Sequence, residues 1–243
     1  MLLLQRHTLG VSDLTIIYEI MTGQPYIFLA GASRGVGRAI AQRLSNQAMP
    51  VKALLRNETT QAELEAMGIT VAIGNALNPE DVVRAMSTDP VHIVISTIGG
   101  APQGEQRADF LGNKHLIDAA VAAAVSRFVL VSSIGSGASA AALPPNVLQT
   151  LGAVLVEKEQ AEQYLIASGL PYTIVRPGGL KSEPATGNAL LTTDPTIAGS
   201  IHREDVADLV CQCLQSDRAL GQTLSAVDRN MLYGQTEFKE FLL

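Results

Sequence analysis

Short apolar runs alternate along the chain with longer stretches in which apolar residues recur at helical spacing. The runs near 26–31, 51–56, 69–73, 91–96, 127–132, 171–175 and 222–226 are dense in valine, isoleucine, leucine and phenylalanine, as in Arg127-Phe128-Val129-Leu130-Val131. A strand with one wet face alternates apolar and polar residues, whereas a strand covered on both faces does not, and the second pattern belongs to parallel sheets flanked by helices. The intervening segments predict helices near 36–47, 59–67, 79–86, 105–125, 147–168 and 203–216, with a short one near the C-terminus. Strand and helix alternate throughout. The expected fold is therefore α/β, a Rossmann-type doubly wound parallel sheet forming a single domain over residues 25–243.

The first strand breaks into Gly31-Ala32-Ser33-Arg34-Gly35-Val36-Gly37 and restarts as a helix. Glycines at these points serve a tight turn, a close approach of main chain to a pyrophosphate, and close packing of helix on strand. The new helix offers its unpaired N–H groups to the phosphate. The run Gly31, Ser33, Arg34, Gly35, Val36, Gly37 is thus read as a dinucleotide cradle, supported by a second strand arriving at βαβ distance. That second strand ends in Arg56, where an NAD-preferring site needs a carboxylate for the ribose 2′-OH. A guanidinium instead accommodates a 2′-phosphate. With Arg34 and Arg38 nearby, the expected cofactor is NADP(H).

Ligands of open α/β sheets lie beyond the carboxyl ends of the strands. Thr97-Ile98-Gly99, after the fourth strand, is expected to line the ribose and nicotinamide. Ser132-Ser133 and Pro177-Gly178-Gly179 follow the fifth and sixth strands, and the loops 134–153 and 180–200 are expected to form the substrate side.

Composition narrows the partners. The chain has 243 residues, 47% of them hydrophobic, and a formal charge of −6, which argues against nucleic acid or an anionic membrane and for a small-molecule acceptor. Cys211 and Cys213 stand two apart in an expected helix and face different ways, so they read as fillers, not as a disulfide or metal pair; a reducing, cytoplasmic setting suits them. No metal site is expected. Residues 1–24 form an N-terminal extension whose Met1-Leu2-Leu3-Leu4 start is interrupted by charged residues; translation from Met21, an added strand, and a self-association arm at 14–21 all remain open. No apolar run approaches the ~18 residues of a membrane span. The oligomeric state is not set by the sequence.

Several segments in order along the chain carry a family resemblance: the glycine turn, Leu54-Leu55-Arg56, Gly74-Asn75-Ala76, Ser132-Ser133, Leu143-Pro144-Pro145, Ser168 to Pro177, and Ser200-Ile201-His202-Arg203-Glu204-Asp205-Val206-Ala207. Over about residues 26–228 the chain resembles an atypical short-chain dehydrogenase/reductase, of the NAD(P)H-binding group that includes biliverdin-IXβ reductase/flavin reductase. The resemblance implies hydride transfer from NADPH to a flavin or linear tetrapyrrole, with Asn75 and Ala76 near the adenine. It also exposes a departure: most short-chain dehydrogenases use a Tyr-x-x-x-Lys pair as proton source, and here Val154 stands four residues before Lys158. Alcohol–ketone chemistry is not expected. Ser133, with Ser132, is the candidate for bonding nicotinamide or acceptor, and Lys158 either holds ribose hydroxyls, offers charge to the acceptor, or is a solvated helix-face lysine. His92 and His115 are expected to be structural, and Arg203 to fix a loop. An NADP(H)-binding redox-sensing or assembly protein with little turnover is the alternative, and a quinone- or isoflavone-type reductase a third reading.

Overall fold

The computed structural model describes residues 25–100 and 106–243. The N-terminal extension lies outside the described residues, as do residues 101–105. In chain order the elements are β1 (Tyr26–Ala30), α1 (Gly35–Asn46), β2 (Val51–Leu55), α2 (Gln61–Glu65), β3 (Thr70–Ile73), α3 (Pro79–Ser87), β4 (Val91–Ser96), α4 (Leu111–Ala122), β5 (Arg127–Val131), α5 (Pro145–Ala167), β6 (Tyr172–Pro177), β7 (Gly179–Lys181), β8 (Ala189–Thr192), β9 (Ala198–His202), α6 (Arg203–Gln215), β10 (Gln222–Asp228) and β11 (Leu232–Tyr233). The main sheet has the order β3-β2-β1-β4-β5-β6-β10-β8, parallel except for the edge strand β8, which runs antiparallel to β10. The order reverses between β1 and β4, which opens a crevice at the carboxyl ends of those strands.

The two-residue period of a strand sorts β1 between two cores. Ile27 and Leu29 pack with Ile40 and Leu44 of α1 and Val206 and Val210 of α6, while Phe28 and Ala30 pack with Leu116 of α4, Phe128 of β5 and Leu165 of α5. All seven expected strands are present, and each is placed within a few residues of its expected span.

Four expectations are corrected. The helix expected over 105–125 begins only at Leu111: residues 106–108 have no regular structure, and Asp109, at the turn before the helix, accepts a hydrogen bond from the Gly100 N–H (2.7 Å). The 180–200 segment is no plain loop: it contains β7, β8 and β9, and β7, β9 and β11 form a second sheet of order β11-β9-β7. No short C-terminal helix forms; the chain passes through β11 and returns to bridge Leu191 with Phe241. The 134–153 loop is also shorter than expected, since α5 starts at Pro145, a first-turn position that suits a residue without an N–H.

Cys211 and Cys213 are both buried on α6, and burial pushes their thiols up to about 11 and about 12. In the unfolded chain a thiol ionises near 9.0, so above pH 9 the unfolded state releases protons that the native state retains. The expected result is a urea midpoint that falls steadily as pH rises from 9 towards 11, and no native labelling by a thiol reagent at pH 8. A flat midpoint over that range would contradict it.

Candidate functional site

The glycine turn is interlocked with β4. Gly31 has φ +99°, and a Cβ there would stand 2.3 Å from Thr97 Oγ1; a Cβ on Gly37 would stand 2.1 Å from the Gly31 carbonyl oxygen and 2.5 Å from the same hydroxyl. Thr97 Oγ1 in turn reaches the carbonyl oxygens of Ala30 (3.2 Å) and Gly31 (3.3 Å). Thr97 therefore shapes the turn instead of lining it with a free hydroxyl. Gly35 differs: at φ +58° its missing Cβ would meet only the Arg203 side chain, at 3.7 Å. The N-cap residue Arg34 makes no side-chain cap and no acid stands in the first turn of α1, so the leading N–H groups, through Val36 and Gly37, keep their capacity for an anion. This is a cradle that fits a dinucleotide, with Ser33 and Arg34 exposed at its lip.

At the adenosine end the expected trio of arginines separates. Arg34 and Arg38 line one groove of about 1050 Å³ with Gly35, Ser182 and Arg203, whereas Arg56 follows β2, one strand over, and is not part of that lining. Arg38 is ion-paired to Glu63 (2.7 Å), and its buried Nη1 has no hydrogen-bond partner. Asn75 Oδ1 already accepts from the Leu77 N–H (3.1 Å), which leaves its NH₂ and one oxygen lone pair for a purine. Ala76 is buried beneath it, with its carbonyl on His115 Nδ1 (2.9 Å), so His115 is structural, as is His92, bonded to Ser126.

Beyond β4, where the nicotinamide is expected, the structure adds a residue that the sequence reading missed. Asp109 is fully buried; its Oδ2 takes the Gly100 N–H and its Oδ1 lies 3.1 Å from Lys158 Nζ. Gly99 is required there, because a Cβ would stand 2.5 Å from Asp109 Oδ1 and 3.0 Å from Lys158 Nζ. The Lys158 side chain is only 17% exposed. A solvated helix-face lysine is thus excluded. Asn113 ties the group to the sheet, accepting from the buried Ser96 hydroxyl (2.5 Å) and donating to the Asp109 carbonyl (2.8 Å). Nothing local marks Asp109 in the sequence; only its place four residues before Asn113 on the way into α4 hints at it.

The two serines differ in their bonding. Ser133 Oγ donates to the Ile134 carbonyl (2.9 Å), while Ser132 is buried at the end of β5 with no partner for its hydroxyl among the described residues. A buried hydroxyl without a partner is costly, and a ligand polar atom would relieve it. Beside it, the Pro177 carbonyl accepts from the Ile134 N–H (2.9 Å). Gly178 answers to packing, since its Cβ would lie 2.2 Å from the Gly199 carbonyl oxygen, and Gly179 lies against Ser200. Half-buried Ile98 packs over Gly112. His202, Asp205 and Asp228 are buried together, and Asp205 accepts from the N–H groups of Thr186 (2.9 Å) and Gly187 (3.0 Å), which fixes that turn beside the groove.

Comparison with known proteins agrees with this geometry. Residues 31–217 match the NAD(P)H-binding family. The chain is 32% identical over 214 residues to an uncharacterised chloroplastic protein of Arabidopsis thaliana, covering 84% of this chain and 76% of that protein. It is 36% identical over 143 residues to sanguinarine reductase of Eschscholzia californica, covering 56% of this chain and half of that enzyme. Among solved structures, ChuY, an anaerobilin reductase of Escherichia coli O157:H7, is similar with a TM-score of 0.77 at 31% identity, over 84% of this chain and 97% of that one. No helix among the described residues is long and apolar enough to cross a membrane.

Proposed function

From the premise that the chain belongs to the NAD(P)H-binding family of Rossmann-fold reductases, we propose that it is an NADPH-dependent reductase of a conjugated planar acceptor such as a flavin or linear tetrapyrrole. The observation that carries this reading is that the carboxyl ends of the neighbouring parallel strands β4 and β5 lead to the buried Lys158–Asp109 pair beside Gly99 and to the Ser132 hydroxyl, which has no partner among the described residues, with Val154 where a proton-donating phenol would stand. Relatives named for the reduction of anaerobilin and sanguinarine support a reductase.

When bound, NADPH supplies the hydride. The α1 N–H groups would hold its pyrophosphate, and Arg56, at the end of β2, its 2′-phosphate. Lys158, kept in place by Asp109, would present positive charge to the ribose or to an anionic reduced acceptor, and Ser132 would donate to the carboxamide or the acceptor. With no phenol available, the protein contributes alignment and exclusion of water, and the product takes its proton from solvent.

The test mixes protein and NADPH with FMN, FAD, riboflavin and biliverdin isomers in turn and follows absorbance of the reduced nicotinamide. Oxidation with one of them supports the proposal. Stoichiometric binding without oxidation would instead favour a redox-sensing or assembly protein, a reading that the backbone-bonded Ser133 hydroxyl also favours; oxidation by quinones or enones alone would move the acceptor class. Arg56→Ala is expected to weaken NADPH binding by ~1.5–3 kcal/mol, the range of a charge-assisted hydrogen bond, while NADH binding barely changes. Equal losses for the two nucleotides would remove Arg56 from the 2′-phosphate.

A further inference from the structure

We propose that Arg203 is a second arm of the pyrophosphate site and that it links cofactor occupancy to the position of the 180–187 segment; this rests on the cofactor reading above. Arg203 opens α6, whose first turn meets the start of α1 at the groove. Its Nε and Cδ lie 3.7 and 3.8 Å from the place a Cβ on Gly35 would take, so the guanidinium stands beside the one glycine of the turn whose surface is otherwise open.

Charge pairing sets it apart from most of the arginines. Arg38, Arg43, Arg127 and Arg176 each hold a carboxylate. Arg34 and Arg203, on either side of Gly35, have none within ion-pair distance among the described residues, although Glu183 and Glu204 line the same groove. Arg203 uses only Nη1, on the Ser182 hydroxyl (2.6 Å) and the Leu180 carbonyl (3.5 Å). The Nε–Nη2 edge bears no hydrogen bond among the described residues, and that edge is the fork that grips two phosphate oxygens at once. The 2′-phosphate is the less suitable target, because Arg56 marks its place at the end of β2, whereas Arg203 reaches Gly35 from the side of β7 and β9.

The same side chain therefore bridges the cradle to the acceptor side. Nη1 holds Leu180 and Ser182, and Asp205, two residues on, holds Thr186 and Gly187. A diphosphate fixed on the Nε–Nη2 edge immobilises the guanidinium and, through Nη1, the segment that borders the acceptor.

Calorimetry of NADPH, ADP and 2′-AMP against wild type, Arg203→Ala and Arg203→Lys tests the phosphate assignment, with amide hydrogen exchange of residues 180–187 as the second readout. Arg203→Ala is expected to weaken NADPH and ADP by about 10- to 100-fold, the equivalent of one charge-assisted hydrogen bond, and to leave 2′-AMP unchanged. Arg203→Lys keeps the charge without the fork and is expected to recover only part of the loss. NADPH is expected to slow exchange at 180–187 in wild type but not in Arg203→Ala, and in Ser182→Ala the slowing is lost while ADP affinity holds. ADP affinity equal to wild type in Arg203→Ala overturns the proposal, as does a loss of 2′-AMP as large as that of ADP. A wild type that binds none of the three nucleotides overturns the cofactor reading itself, a result distinguishable from either.

Discussion

Glu162→Ala is expected to destabilise the domain by about 3–5 kcal/mol, the cost of leaving one member of a buried ion pair without its partner. Glu162 on α5 and Arg176 on β6 meet in a bidentate pair, Nε to Oε1 at 3.0 Å and Nη2 to Oε2 at 2.6 Å, with side chains 1% and 9% exposed. The pair matters to the site because α5 carries Lys158 one turn earlier and β6 runs on into Pro177 and Gly178. At roughly 2–4 °C per kcal/mol for a chain of this size, the melting temperature should fall by ~6–20 °C. Replacing both partners with apolar residues, Glu162→Leu with Arg176→Met, is expected to restore much of the loss, because it removes both buried charges. A single variant that melts within ~2 °C of wild type would show that the pair is not what holds α5 to the sheet.

Gly37→Ala is expected to lower nucleotide affinity by about 100-fold, or ~3 kcal/mol, the upper range of overpacking. The added methyl would occupy a position 2.1 Å from the Gly31 carbonyl oxygen and 2.5 Å from Thr97 Oγ1, and both neighbours belong to the turn itself. The helix start must retreat from β1, which displaces the N–H groups that face the phosphate. Gly100→Ala is a control of a different kind, since its Cβ meets nothing within 4 Å among the described residues, although its φ of +70° still carries backbone strain. Calorimetry of NADPH binding decides: affinity retained in Gly37→Ala would mean that the turn has more slack than its contacts indicate.

Much of the architecture was legible because it is written locally. An unbroken apolar run such as Arg127 to Val131 reports two covered faces without reference to any partner, and β5 is indeed buried at every position. The glycine turn was legible for the same reason, since backbone conformation at Gly31 and Gly35 is a property of the residue. The small sheet of β7, β9 and β11 was not, because its strands of two to five residues are too short for a period to emerge, and pairing partners such as Gly179 and Ser200 are set by chain that lies far away in sequence.

For this protein the sequence alone determined the doubly wound sheet, the phosphate cradle, the basic end of β2 and the missing phenol before Lys158, all of them matters of residue type at a fixed local spacing. Tertiary structure decided which polar groups hold one another: that Asp109 takes Lys158, that Ser133 spends its hydroxyl on its own backbone while Ser132 does not, and that Arg203 comes to rest on Gly35. The reason is that a hydrogen bond or ion pair is satisfied by whichever group the fold brings within about 3 Å, and that choice among many polar side chains is made only when the strands and helices have packed.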